Sequence, residues 1–277
     1  MTWRRKTLAR PVFAGLVALV FALPLYLAVV NVFKTADQIQ YQPIALPAPF
    51  TVENLQSALT RPDNLLFEGL KNSLLITACS VVLLVFFSSA IGYTIARSDK
   101  RYMQVLLLLF VAGMLVPPQV VLIPVSRLLQ WLGLMGTFPG LILLQIGGGL
   151  LSFAVFVYTG FVKTIPRELD ESAIIDGASG FTLFWRIIFP LMRPATATVV
   201  IFTSLWSWNE FLLPLVILGP GEGITITTGI YAAVSSLNRN YGQMFGLMFL
   251  SALPMLAFFF ALQKEFIAGL TGGALKG

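Results

Sequence analysis

Six apolar stretches constrain this chain more than any other feature. They cover residues 12–33, 73–95, 102–126, 138–162, 194–218 and 243–263. Each approaches or exceeds the roughly 20 residues that carry a helix across a hydrocarbon core of about 30 Å. Lipid offers no hydrogen bonds to the backbone, so each stretch must satisfy its own N–H and C=O groups as a helix. A barrel strand would need only half that length. The expected fold class is all-α: a polytopic membrane helix bundle with six transmembrane helices. Composition agrees, since only 11% of the 277 residues are charged, against about 25% in a soluble domain. No polar segment is long enough to bury a core of its own, so residues 1–277 read as a single transmembrane domain.

The sequence pI of about 9.6 invites a nucleic-acid partner, but the placement of the charges explains it otherwise. Six spans leave both termini on one side, together with the loops at 97–101 and 163–193. Thirteen of the 18 Lys and Arg residues fall on that side, among them Arg4, Arg5, Lys6, Arg97, Lys163, Arg186 and Lys264. Basic loops stay in the cytoplasm, which places the N- and C-termini inside. The basic balance is an orientation signal and implies no nucleic acid. The start, MTWRRKTLAR before an apolar run, resembles a secretory signal. Its apolar run exceeds the 7–15 residues of a cleaved signal, so it reads as an uncleaved first helix. Cys79, the one cysteine, falls inside the second span and reads as a small apolar filler.

The longest outer connection, residues 34–71, is rich in proline and polar residues and is expected to fold partly against the outer mouth or to meet an external partner. A second outer segment, 219–242, holds the turn GPGEG and the run ITITTGIYAAV, too short to span. Helix breakers sit inside several spans: Pro117, Pro118 and Pro124 in the third, Gly147, Gly148 and Gly149 in the fourth, Pro254 in the sixth. They fit either irregular packing or a bundle that moves.

Much chemistry is absent. The chain has no histidine, which removes imidazole acid–base schemes, Ser-His-Asp triads and most metal sites. It has no G-x-x-x-x-G-K-[ST] phosphate loop. Glu210 is the one acidic residue well inside a span, where a carboxylate enzyme would need two. No cofactor, metal or catalytic activity is expected.

The inner loop, residues 163–193, is different in kind. Pro166 suits the first turn of a helix, and Glu168, Asp170 and Glu171 then lie near the positive end of its dipole. Gly177 stands where a left-handed residue would end that helix. Ser179 can cap a second short helix, whose Phe181, Phe184, Trp185 and Ile188 form an apolar stripe. The loop reads as a helix–turn–helix whose small residues Ser172, Ala173, Ala178 and Ser179 allow close approach of another protein. An acidic leading edge matches an anionic lipid leaflet poorly, which favours a protein partner over headgroups.

The same segment resembles the cytoplasmic signature loop of ABC importer permeases: Glu-Ala-Ala, three residues, Gly, nine residues, Ile-x-Leu-Pro. Here it reads Glu171-Ser172-Ala173, Gly177, and Ile187-Ile188-Phe189-Pro190, with Ser172 for Ala and Phe189 for Leu. IPRELDESAIIDGAS, SWNEFLLPL, VPPQVVLIP and the ending KEFIAGLTGGALKG are similar to the carbohydrate-uptake branch, in particular the smaller, six-span permease of maltose-type importers. The resemblance implies a bacterial inner-membrane permease subunit of an ATP-driven sugar importer. Its implied partners are a second homologous permease, two cytoplasmic ATPase subunits and an extracytoplasmic solute-binding protein, besides membrane lipid. It also implies that Glu168, Glu171, Ser172, Ala173, Asp176, Gly177, Ala178 and Pro190 couple the chain to the ATPases. A related permease for a glycerol phosphate or glycerol phosphodiester is a variant of this reading.

Trp206, Trp208, Asn209 and Glu210 lie 13–17 residues past Arg193, roughly 20–25 Å along the fifth span at 1.5 Å per residue. A carboxylate there has to face protein or water. The group fits either a translocation pathway, where amides and rings suit sugars, or a contact that braces two subunits. A self-contained secondary transporter is the rival from another class. It would show paired repeats and several buried ionisable groups, and neither is found here.

Overall fold

The computed structural model describes residues 3–219, 223–235 and 240–274, with side chains placed over 10–219, 223–234 and 240–263. Among these residues the chain is helical and has no strand. In order come α1 (Trp3–Val32), α2 (Ala36–Tyr41), α3 (Glu53–Leu59), α4 (Leu65–Arg97), α5 (Arg101–Met114), α6 (Pro118–Trp131) and α7 (Phe138–Gln145). A π turn, Ile146–Leu150, leads into α8 (Leu151–Val162), followed by α9 (Glu168–Ile175) and α10 (Gly180–Thr182). A second π turn, Leu183–Ile188, precedes α11 (Phe189–Leu191), α12 (Arg193–Asn209), α13 (Leu212–Ile217), α14 (Ile226–Ser235) and α15 (Tyr241–Ala274). Two compact units emerge: Met1–Glu68 with Gly229–Pro254, and Gly69–Thr228 with Met255–Gly277.

Four helices are long and apolar enough to cross a bilayer in one piece: Arg10–Val32, Leu65–Arg97, Phe138–Val162 and Tyr241–Gln263. Two pairs reach that length only together, and both are bent. Arg101–Met114 meets Pro118–Trp131 at 101°, and Gly180–Leu191 meets Arg193–Asn209 at 76°. The expected span 102–126 is therefore not a straight rod, and the other bend lies at Met192, just ahead of the expected span 194–218. The first breaks where Pro117 and Pro118 remove two backbone donors, Pro118 then serving as an N-terminal residue of α6. Span 194–218 is interrupted separately at Glu210, whose backbone turns extended and leaves α12 before Leu212 opens α13. The expected second span, 73–95, starts late, because polar Lys71 and Asn72 do not stop a helix; α4 runs on for 33 residues, about 50 Å. Of the quoted tail, residues 275–277 lie outside the described residues, as do 220–222 of GPGEG.

In the first unit, residues 10–30 of α1 are nowhere buried, as suits a helix that is apolar on every side. Its C-terminal carbonyls are closed by the long connection that follows. The Asn54 amide nitrogen reaches the carbonyls of Asn31, Val32 and Lys34 at 3.4, 3.0 and 2.7 Å. Buried Lys34 donates Nζ to the Gln42 and Pro43 carbonyls, both at 2.8 Å. Gln243 of α15 bridges to Arg61 Nη1 at 2.7 Å and to the Ser57 carbonyl at 3.0 Å.

The second unit is built around Tyr158, which is fully buried and donates to Thr196 Oγ1 at 3.0 Å. Around it pack Ala96 of α4, Ala154 and Val162 of α8, Ala173 of α9, Phe184 and Ile188, and Val199 of α12. Gly92 lets α4 and α8 touch. A Cβ there would stand 2.7 Å from Tyr158 Cβ and 3.0 Å from the Thr159 nitrogen. Alanine gains about 1 kcal/mol over glycine inside a helix, but overpacking against backbone costs about 1–3 kcal/mol. Gly92→Ala should therefore lower the thermal unfolding midpoint in detergent. A higher midpoint would show that the helices are free to separate.

Candidate functional site

The segment from Arg167 to Leu191 is shaped first by its own sequence. α9 begins at Glu168, two residues past Pro166, so the proline precedes the helix instead of lying in its first turn. The helix ends on Gly177 at φ +83°, a conformation that costs glycine little. The Gly177 N–H donates to the Ile174 carbonyl at 3.0 Å and the Ala178 N–H to the Ala173 carbonyl at 2.9 Å. That double closure is the Schellman arrangement, and it fixes the direction in which the chain leaves α9. Ser179 then accepts from the Thr182 N–H at 3.3 Å and caps the next helix. Pro190 offers no N–H to the carbonyl four residues back, and the helix widens into the π turn just before it.

What seats α9 is a buried ion pair. Asp170 receives Arg97 Nη2 at 2.6 Å on one oxygen, and Arg97 Nε at 3.2 Å with Tyr93 Oη at 2.6 Å on the other. Both ionised side chains are nearly covered, at 13% and 11% exposure. The remaining Arg97 donors reach the carbonyls of Ile165 at 3.0 Å and Val162 at 3.4 Å, where α8 runs out. One guanidinium on α4 thus ties together the end of α8 and the start of α9. A second pair, Arg167 with Asp99 at 2.8 Å, lies in the open. Its Arg167 hydrogen bond holds the Asp99 carboxyl below the usual carboxylate range. An open cavity of about 690 Å³ lies beside this junction, lined among others by Arg97, Asp99, Lys163 and Glu168.

With Asp170 and Ala173 turned inward, Glu168, Glu171, Ser172 and Asp176 are exposed, as are Ile174 and Ile175 at 60% and 85%. Ala173 corrects the expectation that its small side chain receives another protein. It is buried among Leu183, Phe184 and Tyr158, and its size lets α9 press onto its own core. Ala178 is half-buried on the same core, and Gly177 is exposed. The stripe of the second helix divides likewise: Phe184 and Ile188 are buried and Trp185 partly so, while Phe181 is 74% exposed. Pro190 lies apart from the α9 face, in a trough with Arg193, Thr196, Val200 and Leu262.

The four residues expected as a mid-span cluster are not brought together as one. Trp208 is buried; Asn209 is exposed and donates back to the Leu205 carbonyl at 2.7 Å. Trp206 and Glu210 do line one small cavity. Glu210 Oε1 accepts from the Leu212 and Leu213 N–H groups at 2.9 and 3.1 Å, closing the start of α13. The Glu210 carbonyl accepts from Thr227 Oγ1 at 2.8 Å. The polar residues that sequence reasoning missed are Gln145, Ser80, Ser207 and Thr77. Gln145 Oε1 accepts from Ser207 at 2.8 Å and Ser80 at 3.1 Å, and Thr77 meets Ser207 at 3.3 Å. The available signal was a lone amide in FPGLILLQIGGG, two residues before the glycine triplet.

Residues 88–266 match the family described as binding-protein-dependent transport system inner membrane component. The chain belongs to this family. This permease is 33% identical to the multiple sugar-binding transport system permease protein MsmG of Streptococcus mutans, over 92% of this chain and 91% of the relative. It is 32% identical to the arabinooligosaccharides transport system permease protein AraQ of Bacillus subtilis, over 98% and 96%. Its fold matches a chain in the crystal structure of a bacterial ABC transporter involved in the import of the acidic polysaccharide alginate. There the TM-score is 0.84 at 20% identity, covering 95% and 97% of the two chains. The family makes this a multi-pass, non-catalytic membrane subunit of an importer that works with a partner permease, an ATPase and a binding protein.

Proposed function

We propose that residues 1–277 act as one of two permeases in a bacterial ATP-driven sugar importer, with both termini in the cytoplasm and α9 as its contact with the ATPase. The observation that carries this reading is the two-sidedness of α9. Its back is locked to α4 through Asp170 and Arg97, while its front offers Glu168, Glu171 and Asp176 with Ile174 and Ile175. Acidic and apolar groups side by side suit a basic-rimmed apolar groove on a protein better than an anionic leaflet. With the helix held this firmly, a movement of the ATPase passes into α4, and through the shared core into α8 and α12. Such rigid-body transfer is what alternating access requires. A carbohydrate cargo is supported by relatives named for multiple sugars and arabinooligosaccharides. Two ATPase subunits, a homologous second permease and an external binding protein complete the assembly. In this reading Trp206 and Glu210 meet the cargo, supported by the one cavity that they share.

Orientation is tested by reporters and assembly by purification. A reporter fused after Gly277 should be active only in the cytoplasm, one inserted near Ala48 only outside, and tagged permease should copurify with an ATPase. The reverse reporter pattern would put α9 on the wrong face for any ATPase.

A further inference from the structure

Three helix breaks meet at one small cavity. Pro118 follows the α5–α6 bend, Gly148 lies in the π turn with non-helical φ and ψ, and Glu210 ends α12. All three line a cavity of about 30 Å³ together with Gln145, Trp206 and Ser207. Gln145 is 3% exposed; its Oε1 is occupied by Ser80 and Ser207, and its Nε2 is buried without a partner. Buried donors in that state are uncommon, because nothing replaces the water they give up. Glu210 spends Oε1 on the start of α13, and its Oε2 takes no bond from the described residues. The residues that line the cavity thus carry an unpaired donor, Gln145 Nε2, and an acceptor oxygen, Glu210 Oε2, that takes no bond from the described residues. A hydroxyl group is both acceptor and donor, and a cavity of about 30 Å³ exceeds the roughly 10–15 Å³ that one water-sized group needs.

We propose that this cavity is a hydroxyl-binding station of the permease. Gln145 donates to the oxygen of one hydroxyl of a neutral polyhydroxylated solute, and Glu210 accepts its proton in a hydrogen bond. The half-exposed Trp206 ring lies along the apolar face of the same solute. A water holds the place between passages. Because the walls come from three interrupted helices, a change in any bend opens or closes the station. The proposal rests on the sugar-import reading, and it assigns to Gln145 a role in selecting the solute.

The test uses the complete transporter in proteoliposomes, with radiolabelled raffinose, maltotriose and arabinotriose as probes. Gln145→Met removes the donor, and with it the Oε1 that Ser80 and Ser207 bond, at similar volume. For whichever probe the wild type imports, this variant should raise KM about tenfold, as the loss of one hydrogen bond from a buried group does, with a smaller change in maximal rate. An unchanged KM, with only the thermal midpoint lowered, would mean that the cavity holds structural water alone and would overturn the station while leaving sugar import standing. Should Gln145→Met fail to copurify with its partners, Gln145→Asn keeps the amide but withdraws it by one methylene. It should likewise raise KM, and an unchanged value would overturn the proposal. A wild type that imports none of the three sugars would overturn the sugar reading and the station with it.

Discussion

Glu171→Lys is expected to abolish solute uptake while the protein still inserts into the membrane. Glu171 is exposed in this chain and its carboxylate accepts no hydrogen bond from the described residues, so its substitution leaves the core around Tyr158 untouched. Its effect must come from a partner. An ion pair open to solvent contributes at most about 1 kcal/mol. A pair covered by a protein groove behaves differently, and leaving one member unmatched costs about 3–5 kcal/mol. Charge reversal there sets two cations against each other. The ATPase should then be lost on purification, or should remain bound and cease to respond to solute-loaded binding protein. An acidic substitution opposite it on the ATPase should restore part of the uptake, a rescue that misfolding would not permit. Uptake at the normal rate by Glu171→Lys would remove α9 from the coupling path.

Asp170→Ala acts from the other side of the same helix. It leaves the Arg97 guanidinium nearly buried without its carboxylate, at a cost toward the lower end of about 3–5 kcal/mol, since the Ile165 and Val162 carbonyls still accept from it. α9 should come loose from α4, so that the ATPase still binds but its cycle no longer drives transport. Asp170→Asn keeps one acceptor oxygen, for Tyr93 and Arg97 Nε, while its NH2 meets the Arg97 Nη2 donor; it should still be milder than alanine in both stability and uptake. Asp99→Ala removes only the open pair with Arg167 and should change neither measurably. Equal behaviour of Asp170→Ala and Asp99→Ala would show that the covered pair does not hold the helix.

The contrast between Asp170 and Glu171 marks where sequence reading stops. Both were legible as acidic residues in a first turn, favoured by the helix dipole. Which of them turns inward depends on Arg97, which stands 73 residues away and carries no periodic signal of its pairing. Gly177 was legible, because a left-handed residue has few substitutes. The bend at Pro117 and Pro118 was legible as a breaker in the third span, although not its angle. The break at Glu210 was hidden, since neither proline nor glycine stands there and a carboxylate capping the next helix does the work. Ala173 misled for a physical reason: a small side chain serves close packing equally well against its own core or a partner.

The central claim, that the outward face of α9 seats on the ATPase, is tested most directly by site-specific photocrosslinking in the assembled transporter. A benzophenone amino acid replacing Ile175, which is 85% exposed, should yield an adduct with the ATPase subunit. The same probe at Val20, also well exposed on α1, should yield none with it. An ATPase that copurifies fully yet is never crosslinked from Ile175 would contradict the account.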